Sequence, residues 1–119
     1  MREILFRGYS TVHRKWFYGD LLHCSDGLRI SNEESFVGVS KKTIGQFTGL
    51  TDKNGKKIFE GDVFDYADCS RYTVVWSDDK VGFYADGITI SDFDFLGNFY
   101  EEEIEIIGNI HDNPELLGG

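Results

Sequence analysis

Apolar and polar residues alternate along most of this chain with a period near two, the spacing of strands. No stretch keeps helical spacing over the roughly 10–12 residues a helix needs, which predicts an all-β fold. The first strand is predicted over Glu3 to Arg7, ending at Gly8. Trp16-Phe17-Tyr18 is a second, closed by Gly19-Asp20, and Leu28-Arg29-Ile30 is a third, entered from the turn Ser25-Asp26-Gly27. Ser31 to Ser35 is polar and reads as a loop, the expected mobile segment.

Thr43 to Leu50 and Lys57 to Phe59 flank Asp52-Lys53-Asn54-Gly55, a hairpin signal in which Asn54 and Gly55 are expected to supply the positive φ angles. Gly49 sits just before the turn, and Glu60-Gly61-Asp62 just after its second strand. A glycine between two acids suits a bend where the chain leaves a hairpin and enters a small barrel, with Asp62 accepting hydrogen bonds from turn amides. These seven residues, Gly49, Asp52, Asn54, Gly55, Glu60, Gly61 and Asp62, form a structural motif with no ligand-binding set in it.

The second half reads as a curled antiparallel sheet. Tyr72, Val74 and Trp76 alternate with Thr73 and Val75, and Ser77 to Lys80 turns the chain toward Val81, Phe83 and Ala85, with Tyr84 on the other face. Asp86-Gly87 is expected to turn before a strand at Ile88-Thr89-Ile90, while Asp92 to Tyr100 has no clean period. Ile104 to Ile110 closes the barrel with a bulge at Gly108. Asn113-Pro114-Glu115 then starts one short C-terminal helical turn.

Composition supports strands. Of 119 residues, 10 are Phe, 6 Tyr and 2 Trp, with a single Met and a single Pro. A chain of this length buries roughly two-thirds of its unfolded surface and folds without staples. Its two cysteines, Cys24 and Cys69, show no framework spacing. Met1 to Gly8 is charged and too short for the apolar part of a leader, and no run approaches the roughly 20 apolar residues of a membrane span. The expectation is a reduced, cytoplasmic protein without a membrane role.

Charge divides the chain. Residues 1–59 carry ten Lys and Arg against six Asp and Glu; residues 60–119 carry only Arg71 and Lys80 against fifteen acids. The net of −9 makes nucleic acid a disfavoured partner, with any phosphate contact confined to the first half. Opposite charge on two parts of one chain also favours self-association, through rate and orientation more than affinity.

Five segments carry a family resemblance: MREILFRG at the start, YGD at Tyr18 to Asp20, IGQFTGLTDKNGKKIFEGDVF from Ile44, VVWSDDKVGF from Val74 and IIGNIHDNPELL from Ile106. In combination they resemble the YopX protein family of Gram-positive bacteria and their phages. The resemblance implies a strand-rich N-terminal part (about 1–59) intertwined with a small SH3-like barrel (about 60–119), as one domain. It also implies a phage or prophage origin and a tendency to self-assemble. It carries over no activity and no catalytic residue.

Candidate chemistry is thin. His13, His23, Cys24 and Cys69 are ligand types, but without the local pairs of structural zinc sites. Asp62, Asp65 and Asp68 recur every third residue, yet the glycine and terminal glutamate of a calcium loop are missing. No nucleophile-elbow context accompanies any Ser–His–Asp or Cys–His combination, so no enzyme, cofactor or metal is expected. Arg2, Arg7, Arg14, Lys15, Lys41 and Lys42 lie near Phe6, Trp16, Phe17 and Phe47, the mixture single-strand binders use. Asp92-Phe93-Asp94-Phe95 through Glu101-Glu102-Glu103 could instead offer negative charge to a basic host or phage protein. The reading is a non-catalytic, homo-oligomeric accessory protein acting through protein contacts; the alternative is a small β-barrel nucleic-acid binder using the first half.

Overall fold

The all-β expectation holds in the computed structural model, which describes residues 3–67 and 69–118. Among them run eleven strands in two antiparallel sheets, with four single 3₁₀ turns and no α-helix. The chain divides into two units, Met1–Gly49 and Leu50–Gly119. The division falls before the Asp52 hairpin, which therefore belongs to the second unit.

In the first unit β1 (Phe6–Ser10), β2 (Lys15–Cys24), β3 (Gly27–Ser31) and β4 (Phe36–Gly38) meander antiparallel, and β5 (Gly45–Thr51) begins on the far side of β1. Gly8 faces Phe17 across the β1–β2 pair, and Phe6 faces Gln46 across β1–β5. Two sequence expectations fail here for one reason. Gly8 does not end β1, and Gly19-Asp20 does not end β2. Both glycines answer a close approach and not a turn: a Cβ on Gly19 would lie 2.2 Å from the Ser31 carbonyl oxygen, and one on Gly8 2.8 Å from Val39. The loop after β3, expected to be mobile, is tied by its own Asn32. That side chain accepts from the Glu34 and Ser35 amides, both at 2.8 Å, and donates to the Tyr18 carbonyl at 2.8 Å.

In the second unit β5 ends and β6 (Lys57–Phe59) returns from the hairpin. Next come β7 (Asp62–Tyr66), β8 (Ser70–Ser77), β9 (Gly82–Gly87), β10 (Phe93–Phe95) and β11 (Ile104–Asn109). The five-stranded sheet has the order β10-β9-β8-β7-β11. Ile58, Phe64, Tyr72, Val74, Ala85, Leu96 and Ile104 form its buried core, with Phe99 edge-on to Phe64, Tyr66 and Tyr72. The bulge expected at Gly108 is present as a register shift between Ile106 and Gly108, and Pro114–Leu117 makes the short C-terminal turn.

Ile88-Thr89-Ile90, expected as a strand, is a bend, and Val81 lies in the preceding turn at φ 52°. Gly87 continues β9 and does not turn it. Its amide donates to the Asp92 carbonyl at 2.8 Å, the Asp92 amide donates to Ile90, and a Cβ on Gly87 would meet the Ile90 carbonyl at 2.1 Å. Those bonds close a tight loop that delivers the unassigned acidic-aromatic segment into β10.

Candidate functional site

The predicted hairpin motif is a structural device. Asp52 is buried, and its carboxylate accepts from the amides of Asn54 and Lys56, both at 2.9 Å, and from Ile106 on β11 at 3.1 Å. The Gly55 amide donates to the Asp52 carbonyl and the Asp52 amide to the Lys56 carbonyl, a type I turn followed by a left-handed glycine. Gly55 alone takes the positive φ, at 81°; Asn54 does not, contrary to the sequence expectation, because this loop needs one left-handed residue. Gly61, at φ 95°, donates its amide to Val74 and accepts at its carbonyl from Ile110. Buried Asp62 accepts from the Phe59 amide at 2.7 Å, the turn-amide role expected of it. Glu60 is half-buried between β6 and β7, and Gly49 sits within β5 at φ 91°.

The ligand-type residues do not converge. Among the described residues no cluster of three or more His, Cys, Asp or Glu is placed to hold a metal ion. Both Cys24 and Cys69 are free thiols, and His13 rests edge-on to Phe17 at 5.7 Å. Asp65 takes Arg71 in an ion pair at 2.8 Å, and that hydrogen bond raises the guanidinium pKa; Asp68 lies outside the described residues. In the basic first unit Arg7 is buried with its guanidinium over Trp16, and Phe17 and Phe47 are buried too. Arg14, Lys15, Lys41 and Lys42 are exposed, and Arg2 lies outside the described residues.

Open depressions occur among the described residues. One of about 500 Å³ is lined by Tyr18, Asp20, Asn32, Glu33 and Glu34 among others, and one of about 270 Å³ lies beside Arg71, Cys69 and Thr89. The first joins carboxylates to a phenol, and in the second the guanidinium already has its carboxylate.

A third feature is chemically richer, and the β8–β10 register builds it. Val75 faces Tyr84, which faces Phe95; in the adjacent row Thr73 faces Asp86, which faces Phe93. Because strand side chains alternate, both phenylalanines of the Phe-Asp-Phe strand share the face of Tyr84. Tyr84 stacks on Phe93 with ring centroids 5.0 Å apart and planes 9° from parallel, and it meets Phe95 edge-on at 5.7 Å. Phe93 and Phe95 are 45% and 47% exposed. From the preceding turn the Lys80 ammonium lies 5.7 Å from the Tyr84 ring centre and 5.8 Å from that of Phe93.

Acids lie close to these rings along the chain. Asp86 is the cross-strand neighbour of Phe93, Asp78 and Asp79 precede Lys80 in its turn, and Asp92 leads into β10. β10 is an edge strand, but the Asp94 carboxylate accepts from the Phe95 amide at 2.8 Å and from the Asn98 amide group at 3.0 Å. At that edge the Phe95 amide is thus already taken, while the aromatic face is open. The sequence showed that Asp92 to Tyr100 was acidic and aromatic. The missing information was the pairing with Tyr84, which no local spacing encodes.

Compared with known proteins, residues 5–118 match the family model described as YopX protein. The chain is similar in structure to the crystal structure of protein EF1440 from Enterococcus faecalis. The two are 23% identical, the match covers 99% of this chain and 100% of that one, and the TM-score is 0.64, a likeness of fold. No curated protein matches the chain.

Proposed function

This chain belongs to the YopX protein family, and we propose that it is a phage or prophage accessory protein that self-assembles in the host cytoplasm and works through protein contacts, without catalysis. The observation that carries this reading is the exposed pair Phe93 and Phe95 packed on half-buried Tyr84, an apolar patch with charge beside it of the kind that marks interaction sites. The charge division supports it, since fifteen acids in residues 60–119 complement the basic excess of residues 1–59 in a neighbouring copy. No helix among the described residues is long and apolar enough to cross a membrane.

Light scattering after size exclusion is the test. A mass several times 13.6 kDa at micromolar protein, shrinking as salt rises, is expected; a monomer at low salt would overturn self-assembly. The exposed Arg14, Lys15, Lys41 and Lys42 favour a second reading, nucleic-acid binding through the first unit. A gel shift with DNA or RNA at about 50 mM salt, where phosphate contacts are strongest, decides that reading.

A further inference from the structure

We propose that the Tyr84–Phe93–Phe95 face is a docking site for an arginine-bearing segment of a partner protein. This rests on the reading that the chain acts through protein contacts, and it names the partner's chemistry. The rings offer flat, partly exposed π-faces, which two kinds of group use well: nucleic-acid bases and guanidinium groups. Charge separates the two. Asp79 and Asp86 are exposed on the turn and strand that carry the rings, and Asp78 and Asp92, whose carboxylates accept from the Trp76 indole and the Tyr72 hydroxyl, add to the local negative field; together they repel a phosphate backbone while attracting a cation.

The protein already makes the interaction in miniature. Lys80 places its ammonium over Tyr84 and Phe93 together, so a cation is accommodated at these rings. Arginine suits the site better than lysine, because its planar, weakly hydrated guanidinium stacks on a ring while its N–H groups reach carboxylates such as Asp86. A partner strand added to β10 is disfavoured, since Asp94 already occupies the Phe95 amide at that edge. The arginines therefore come to the face and not to the edge.

The experiment titrates the full chain with a nonapeptide alternating arginine and glycine, followed by amide chemical shifts and calorimetry. Matched lysine and glutamate peptides serve as comparisons. Saturable binding of the arginine peptide, at roughly ten to several hundred micromolar, is expected, with shifts centred on β8 to β10. The lysine peptide should bind several-fold more weakly and the glutamate peptide not at all.

Phe93→Ser and Phe95→Ser, at sites about half exposed, should each weaken binding about tenfold while the circular dichroism spectrum stays unchanged. Phe36→Ser, at an exposed phenylalanine of the first unit, should leave binding as it was. Lys80→Met removes the resident cation and should tighten binding several-fold.

The proposal is overturned if the arginine peptide fails to saturate, if the lysine peptide binds equally well, or if the Phe93 and Phe95 variants bind like the parent. Weaker binding by the Lys80 variant would also overturn it. Light scattering on the same variants keeps the two readings apart: loss of self-assembly on Phe93→Ser would make the face an interface between copies and sink the arginine partner. An unassociated parent that still binds the peptide would sink self-assembly alone.

Discussion

Asp52 joins two distant parts of the second unit through one carboxylate. One oxygen closes its own turn by accepting from Asn54 and Lys56, and the other reaches the Ile106 amide on β11. Replacing it with alanine leaves three part-buried amides without their acceptor, so Asp52→Ala should cost about 1–3 kcal/mol, read as a lower urea midpoint. Gly55→Ala should cost about 1 kcal/mol: its Cβ would meet nothing within 4 Å, and only the left-handed backbone is strained. Asn54→Ala, at an exposed residue without positive φ, should stay within about 0.5 kcal/mol. A larger loss at Asn54 than at Gly55 would contradict this account of the turn. The Asp-Lys-Asn-Gly signal was plain in the sequence, whereas the bond to Ile106, 54 positions away, was not.

Among the elements, β2 shows where local reading misleads. Glycine followed by aspartate is a turn signal when only neighbours in sequence are considered. At Gly19 the strand runs straight through, because β3 passes so close that Ser31 leaves no room for a Cβ. Gly19→Ala should therefore destabilise by about 1–3 kcal/mol through forced backbone displacement. Gly38, with nothing within 4 Å of its Cβ position and no positive φ, should accept alanine within about 0.5 kcal/mol. Equal denaturation midpoints for the two variants would refute the close-approach account. The same physics acts at Gly87, which carries β9 past the expected turn and moves Ile88 to Ile90 out of strand geometry. By contrast β6 runs from Lys57 to Phe59 as the sequence predicts, since the hairpin turn sets its start and the Glu60-Gly61-Asp62 bend its end.

For the molecule as a whole, stability carries a signature in alkali. Burial, and then the hydrogen bond its hydroxyl donates to Asp92 at 2.9 Å, push the Tyr72 phenol above its ordinary value of 10.0. The folded protein therefore holds this proton more tightly than the unfolded chain does. The contribution is complete below about pH 10 and is lost as pH rises from there through the higher folded value. Melting temperatures between pH 8 and 11 should fall on the alkaline side, and Tyr72→Phe, which cannot ionise, should flatten that limb. An unchanged limb would show that this phenol does not govern it.

The all-β class, the position of the hairpin loop with its left-handed Gly55, the bulge beside Gly108, the short C-terminal turn and the division of charge were legible along the chain, although the positive φ expected of Asn54 was not found. These follow from backbone demands and side-chain period, which act over a few residues and are written in order along the chain. The tertiary structure decided what depends on which strand lies beside which: the passage of β2 through Gly19, the third bond of Asp52, and the stacking of Phe93 on Tyr84. A glycine that opens a turn and one that admits a neighbouring strand are the same letter. Only the register across strands tells them apart, and the same register turned an unassigned run of acids and aromatics into a surface.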